Sequence, residues 1–328
     1  MKSQFELFRN LVEHSDQFVL TTHVNPDGDG LGSELALSRY LRSLKKHPTI
    51  LNHSSTPFSY QFLDHENEIV TFDPGPHSAV LADAEVIIVL DTNQPSRLAN
   101  MKDPVMASKA RKVVIDHHLD ADPFADLMIL DESAAATGQI VYNLLKHLKG
   151  PSFTPEIAQA LYVAIMTDTG SFRFPKTDSE VHRVTAALIE SGADPVSAYQ
   201  QIYEQSPLER IHLLGQVLAS LKTAHNGAVA YLTVTQKMFA RTNTSEPDVD
   251  QFVPYALALK GVRIALMFTE LPDQIKVSFR SKGDIWINRL AQEFGGNGHK
   301  NAAGARIVNG TLRDVIASVL DKTHTYLD

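Results

Sequence analysis

QFVLTTHVNPDGDGLGSELALSRYLRSLKK, residues 17–46, reads as a strand, a turn and a helix in succession. The run from Gln17 to His23 is short, apolar and rich in β-branched residues, as befits a strand buried on both faces of a parallel sheet. Past His23 neither strand nor helix continues. Pro26 fixes its own φ and restricts Asn25, while Gly28 and Gly30 permit backbone turns that other residues resist. The turn therefore presents Asp27 and Asp29, and the stretch from Asp29 to Lys46 follows as a helix.

Similar segments recur along the chain. EVIIVLD (85–91) and RKVVID (111–116) are apolar runs that each close on an aspartate, and LYVAIMTDTGSFRF (161–174) carries Asp168 behind an apolar run of its own. Alternating strands and helices over residues 1–200 predict an α/β domain with a doubly wound parallel sheet. Sheets of this kind bind ligands at the carboxyl ends of their strands. A helical stretch at 178–222, broken at Gly192, Pro195 and Pro207, leads to a smaller α/β domain. There AVAYLTVT, VRIALMFTEL and QIKVSFRS supply three strands, and 284–294 and 311–323 supply helices. The expected division is a first domain over 1–200, a helical linker over 201–224 and a second domain over 225–328. The active site is expected in the cleft between them. Residues 1–16 read as an amphipathic helix with Phe5, Leu7, Phe8, Leu11 and Val12 on its inner face.

Any one cluster is ordinary, since Asp-rich Gly/Pro turns fill many loops. The signal is their conjunction: His23, Asp27, Asp29, Asp91, Asp116, His117, His118 and Asp168 all end apolar elements of one α/β pattern. Imidazoles with several carboxylates form a mixed nitrogen and oxygen ligand set, which suits Mn²⁺, with Mg²⁺, Co²⁺ or Zn²⁺ as competitors. The chain has no Cys, which excludes thiolate ligands, a Cys nucleophile and a disulfide framework together. Two ions roughly 3.5–4 Å apart, sharing one carboxylate, generate a hydroxide at neutral pH and steady the departing oxygen of a phosphoryl group.

The second domain has its own anion chemistry. In GGNGHKNAAG (295–304) the missing side chains of Gly295, Gly296 and Gly298 let backbone N–H groups approach a phosphate, with His299 and Lys300 adding charge or hydrogen bonds. Arg280 in KVSFRS suits a bidentate phosphate contact, with Ser281 beside it. A formal net charge of −8 argues against a binder of long nucleic acid, which would carry a basic face, yet allows a short substrate held by metals and a few cations. No apolar stretch approaches bilayer length and the first residues mix charges throughout, so a cytoplasmic protein without membrane association is expected.

These segments, in this order, resemble the DHH phosphoesterases. His23-Val-Asn-Pro-Asp27-Gly-Asp29, Val89-Leu-Asp91-Thr92, Asp116-His117-His118 and Thr167-Asp168-Thr169-Gly170-Ser171-Phe172 match the family's four amino-terminal motifs. Phe294-Gly-Gly-Asn-Gly-His299-Lys-Asn-Ala-Ala-Gly304 is similar to the glycine-rich signature of the DHH-associated domain, with Asn297 where the family often has glycine. With both halves present, the chain looks most like the nanoRNase A type, which pairs an oligoribonuclease with a phosphatase of 3'-phosphoadenosine 5'-phosphate (pAp).

The resemblance implies that His23, Asp27 and Asp91 hold one divalent ion and Asp29, Asp91, His117 and Asp168 the other. Asp91 would be the bridge, His118 would contact the substrate or donate a proton, and Asp116 would orient an imidazole. It also implies short oligoribonucleotides, dinucleotides or pAp as substrates. A homodimer is the candidate assembly. Rivals are a cyclic dinucleotide phosphodiesterase, a pyrophosphatase or exopolyphosphatase, and a catalytically silent nucleotide-binding module.

Overall fold

Residues 1–327 are described in the computed structural model, the side chain of His299 excepted. They divide into two compact units, Met1–Gln205 and Ser206–Asp328.

The first unit runs α1 (Lys2–His14), β1 (Gln17–Thr21), α2 (Gly28–Ser43), β2 (His47–Asn52), β3 (Ile69–Thr71), α3 (Pro74–Asp83), β4 (Val86–Leu90), α4 (Lys102–Ala107), β5 (Arg111–Asp116), β6 (Leu127–Leu130), α5 (Thr137–Leu148), α6 (Pro155–Asp168), α7 (Ser179–Glu190) and α8 (Pro195–Tyr203). Its strands pair in the order β3-β2-β1-β4-β5-β6, every neighbour parallel. Alternate residues serve opposite faces. Phe18, Leu20, Ile88 and Ile115 join the core beneath α1, α2, α5 and α6, while Val19, Ile87, Val89 and Val114 join a second core with Leu81 of α3 and Val105 of α4. The sheet is thus doubly wound, and strand order reverses between β1 and β4, the point at which such sheets open a ligand crevice.

Small residues let three helices close in on that point. A Cβ on Gly32 of α2 would lie 2.3 Å from the Ala160 carbonyl of α6, and one on Gly138 of α5 would lie 2.5 Å from the Ala164 Cβ. Bulkier residues would force α2, α5 and α6 apart, and with them the polar groups at their ends. At α1 the expectation fails in one place: Phe5, Phe8 and Val12 are buried, whereas Leu7 is 57 % exposed, being off the stripe that faces β6 and α5.

The second unit runs α9 (Leu208–Ala219), β7 (Lys222–Ala224), β8 (Val229–Val234), α10 (Gln236–Thr242), α11 (Val253–Leu257), β9 (Ile264–Glu270), β10 (Ile275–Ser281), α12 (Ile287–Gln292), β11 (Asn297–His299), β12 (Ala302–Ile307) and α13 (Leu312–Thr323). Its sheet has the order β11-β12-β10-β9-β8-β7; β8 and β9 are parallel and the other pairs antiparallel. Phe279, Leu266 and Phe268 pack with α12 and α13 on one face, and Leu232, Ala265 and Met267 with α9 and α11 on the other.

Two sequence expectations change here. The stretch 201–224 is no free linker, because α9 buries Leu213 and Val217 in the second unit's core and β7 joins its sheet. The sequence reading gives the second domain three strands and none in the glycine-rich segment, yet Asn297–His299 forms β11 and pairs with β12. Asn297 is correspondingly an extended strand residue opposite Gly304.

Candidate metal centre

The site is assembled at the carboxyl edge of the first sheet. Asp27 caps α2, its Oδ1 accepting from the backbone N–H groups of Asp29 and Gly30 at 3.0 and 3.2 Å. Beyond β1, Thr22 is tied on both sides, through its N–H to Asn52 Oδ1 and through its hydroxyl to the Leu90 carbonyl. His23 is thereby held beside the end of β4. Asp91, the first residue past β4, has a left-handed backbone (φ 59°) although its N–H still reaches the Ile115 carbonyl. A non-glycine residue in that region stores strain, of the kind found where a side chain must be aimed.

Asp91 stands at the centre. Its Oδ2 is 3.4 Å from His23 Nε2, and its Oδ1 is 3.8 Å from His117 Nε2 and 3.7 Å from His118 Nδ1. His23 Nε2 also lies 4.0 Å from Asp27, and His117 Nε2 lies 3.8 Å from Asp29 and 3.3 Å from Asp168. Three triplets each have ligand atoms within 4.8 Å of one another: His23, Asp27 and Asp91; Asp29, His117 and Asp168; Asp91, His117 and His118.

Imidazole orientation, which sequence leaves open, follows from hydrogen bonding. His23 Nδ1 lies 2.9 Å from the Val24 carbonyl and His117 Nδ1 lies 3.2 Å from the Ala134 carbonyl. Each Nδ1 must donate, so in the neutral ring Nε2 carries a lone pair facing carboxylate oxygens. Acceptors that converge on acceptors fit a cation between them. The electrostatics agree. Burial and the charges of Asp91 and Asp168 push Asp29 well above the usual carboxylate range. Desolvation and the charges of Asp91 and Asp27 push Asp168 up to about 8. Without a cation between them, Asp91 and His23 charge each other: burial opposes ionisation of Asp91, yet a protonated His23 and the neighbouring imidazoles hold it below its ordinary value, and Asp91 in turn raises His23 against its own burial. Burial lowers His117, favouring its neutral form against the charge of Asp91. The donor set of carboxylate oxygens and imidazole nitrogens suits divalent metals.

Asp116 takes a different part. Wholly buried, it accepts at Oδ1 from the His117 N–H at 2.8 Å and from His118 Nδ1 at 2.7 Å. It sets the His118 ring, whose pKa rises despite burial because of that bond and the Asp91 charge.

Sequence reasoning missed the amino terminus of α5. The N–H groups of Thr137 and Gly138 donate to the two oxygens of Asp29 at 2.7 and 2.8 Å, and the Thr137 hydroxyl donates to Asp91 Oδ1 at 3.0 Å. A helix amino terminus favours such a carboxylate through its open N–H groups and dipole. The available signal was Thr-Gly after an alanine run and ahead of an amphipathic stretch, a helix start in the same polarity as the other motifs. After Asp168, which closes α6, Gly170, Ser171 and Phe172 have φ of 56, 58 and 64°. Three consecutive left-handed residues turn the chain sharply away, a costly path for the two that carry a Cβ.

In the second unit the expected residues divide. Arg280 is partly buried, its charge opposed by burial and supported by Asp250. Ser281 points to the opposite face, as strand alternation requires; it is buried, donating to the Ile285 carbonyl and accepting from Asn301 Nδ2, so it closes a turn and does not face outward. Gly296 and Gly298 have a packing reason of their own: a Cβ on either would come within 2.4 Å of a carbonyl of β12. Gly295 has open space and a left-handed φ of 72°. Lys300 pairs with Asp284 at 2.7 Å. The side chain of His299 lies outside the described residues.

Residues 17–165 match the DHH family, N-terminal domain, and residues 226–326 match the DHHA1 domain. The chain is 30 % identical over 318 residues to NrnA of Bacillus subtilis, a bifunctional oligoribonuclease and PAP phosphatase, covering 96 % of this chain and 97 % of that one. It is 32 % identical over 302 residues to the Thermus thermophilus protein of the same name, covering 92 % and 87 %. The crystal structure of an exopolyphosphatase-related protein from Bacteroides fragilis superposes with a TM-score of 0.95 at 29 % identity, over 99 % of this chain and 97 % of that one.

Proposed function

The chain belongs to the DHH family of phosphoesterases and carries its DHHA1 domain, and from that premise we propose that it cleaves very short oligoribonucleotides to mononucleotides and converts pAp to AMP and phosphate. The observation that carries the proposal is the position of Asp91, one buried carboxylate turned toward His23 on one side and His117 on the other. Its support among relatives is their likeness over nearly the whole length of both chains.

His23, Asp27 and Asp91 would hold one divalent ion, and Asp29, Asp91, His117 and Asp168 the other, Mn²⁺ being the best match to the donors. When bound, such a pair supplies a nucleophile from water at neutral pH and offsets charge on the departing oxygen. The protein's own groups do the rest. Asp116 fixes the His118 ring through Nδ1 and raises its pKa, so that His118 can keep a proton at Nε2 for the leaving group. Thr137 and Gly138 hold the Asp29 and Asp91 carboxylates against their mutual repulsion. Arg280 and the 295–300 stretch would grip the part of the nucleotide that does not react, favouring short substrates. No helix of the described residues is long and apolar enough to cross a membrane, which fits action in the cytoplasm.

The test is a panel of pApA, longer oligoribonucleotides, pAp, cyclic di-AMP and pyrophosphate, offered in parallel with Mn²⁺ to the wild type and to Asp91→Asn. Release of AMP from pApA and pAp, abolished by the substitution, is the expected result. Turnover confined to pyrophosphate or to cyclic di-AMP would assign the site to those substrates instead.

A further inference from the structure

Trp286 is the chain's one tryptophan, and it is 41 % exposed at the amino end of α12. Arg289, one helical turn on, lays its guanidinium over the indole at 4.9 Å from the ring centre, and Lys300, from the turn between β11 and β12, brings its ammonium to 5.5 Å. The ring borders a cleft of about 710 Å³ whose other wall holds Arg263 and Lys282, joined by the Lys282 N–H bond to the Arg263 carbonyl. Arg263 also donates to the Leu327 carbonyl, and the acidic group of this wall is Asp284, fully exposed and paired with Lys300. Among the described residues, four cations thus gather at this exposed indole and its cleft, with Asp284 on the lining and Glu293 bonded to the lining Tyr326 as the carboxylates, in a chain of net charge −8.

We propose that this cleft is an accessory nucleotide site, taking a nucleobase against Trp286 and a phosphate on Arg289 with help from the opposite wall. An indole left in water forgoes the gain of burial, and a base laid on it recovers that gain whatever its sequence. The guanidinium, planar by delocalisation, engages the ring through its face, which leaves its N–H donors for a phosphate. The volume lies within the range of small-ligand pockets. The site extends the proposed function, sharing Lys300 with the stretch assigned there to substrate, but it needs no metal and no turnover. The same chemistry serves a free mononucleotide or the far end of a short oligonucleotide.

The indole reports on its own site. Full-length Asp91→Asn protein in EDTA is titrated with 5'-AMP, with a tetraribonucleotide, with adenosine and with inorganic phosphate, following tryptophan emission. Saturable quenching by AMP or the tetranucleotide is expected, weaker with adenosine or phosphate alone, and Arg289→Gln should raise the dissociation constant at least five-fold with an unchanged melting curve. Tighter binding of the tetranucleotide would identify the oligonucleotide end as occupant; equal affinities would identify the mononucleotide. Calorimetry on Trp286→Phe should show weakened but not abolished binding. Flat emission up to millimolar nucleotide, or quenching unaffected by Arg289→Gln, overturns the site. Because the readout is binding, such a failure leaves phosphoesterase turnover by the wild type untouched, and loss of turnover leaves this binding untouched.

Discussion

Thr137 Oγ1 donates a 3.0 Å hydrogen bond to Asp91 Oδ1 across 46 residues of sequence. A threonine at the start of α5 thereby aims the carboxylate proposed above as the shared ligand. Such supporting contacts to metal ligands are typically worth 10- to 100-fold in affinity or activity. Thr137→Val should therefore lower Mn²⁺-dependent turnover by about ten-fold or more, Thr137→Ser should restore most of it, and melting curves should stay close to wild type. Metal-titrated kinetics on the three proteins check this.

Asp116→Asn should move the alkaline limb of the pH–rate profile. The Asp116 bond and the Asp91 charge raise His118 in spite of its burial, so its protonated form persists to higher pH. Activity that needs this proton is full below the His118 pKa and is lost as pH rises through it. Removing the Asp116 charge lowers that pKa, and the limb should shift toward acid by on the order of one unit. A profile of kcat/KM against pH for pAp hydrolysis reads the shift; an unmoved limb would show that His118 is not the proton donor.

Glu34 should be a cost at neutral pH. It is fully buried on α2, Oε2 accepts from Asn52 Nδ2 at 2.8 Å, and Oε1 has no hydrogen-bond partner among the described residues. Burial raises it well above the usual carboxylate range, only partly offset by the Asn52 bond. A carboxyl whose folded pKa exceeds its unfolded one loses stability as pH rises from the unfolded value toward the folded one. Glu34→Gln should leave stability little changed at pH 4 and raise it at pH 8, by about 1–3 kcal/mol. Thermal melts in EDTA at the two pH values compare them.

The fold and the convergence of these Asp and His side chains were legible for one reason. Buried parallel strands are unbroken apolar runs, and His23, Asp91 and Asp116 stand where those runs stop, so local pattern alone marks the functional edge. The contribution of α5 was not legible, because it is made largely by backbone N–H groups whose partner, Asp29, lies 108 residues away from Thr137. The same limit applied to Gly296 and Gly298, since a glycine required by close strand packing looks in sequence like one required by an anion. Ser281 was a lapse of another kind: alternation along KVSFRS already placed it on the face opposite Arg280. Helix α9 looked like a linker because only its burial against β8 and β9, a tertiary fact, assigns it to the second unit.

Arg280→Ala should separate grip from chemistry. If the guanidinium holds a remote phosphate, its loss should raise KM for pApA by about ten-fold or more, the scale of a charge-assisted hydrogen bond, while turnover of a small chromogenic phosphodiester stays unchanged. Steady-state kinetics on both substrates discriminate this from a general loss of folded enzyme, which would lower both together.

Anomalous diffraction from a crystal of the wild type grown with Mn²⁺ tests the central claim most directly. The expected result is a pair of peaks roughly 3.5–4 Å apart, on either side of the Asp91 carboxylate, one toward His23 and Asp27 and the other toward His117, Asp29 and Asp168. A single peak, or ions bound away from Asp91, would contradict it.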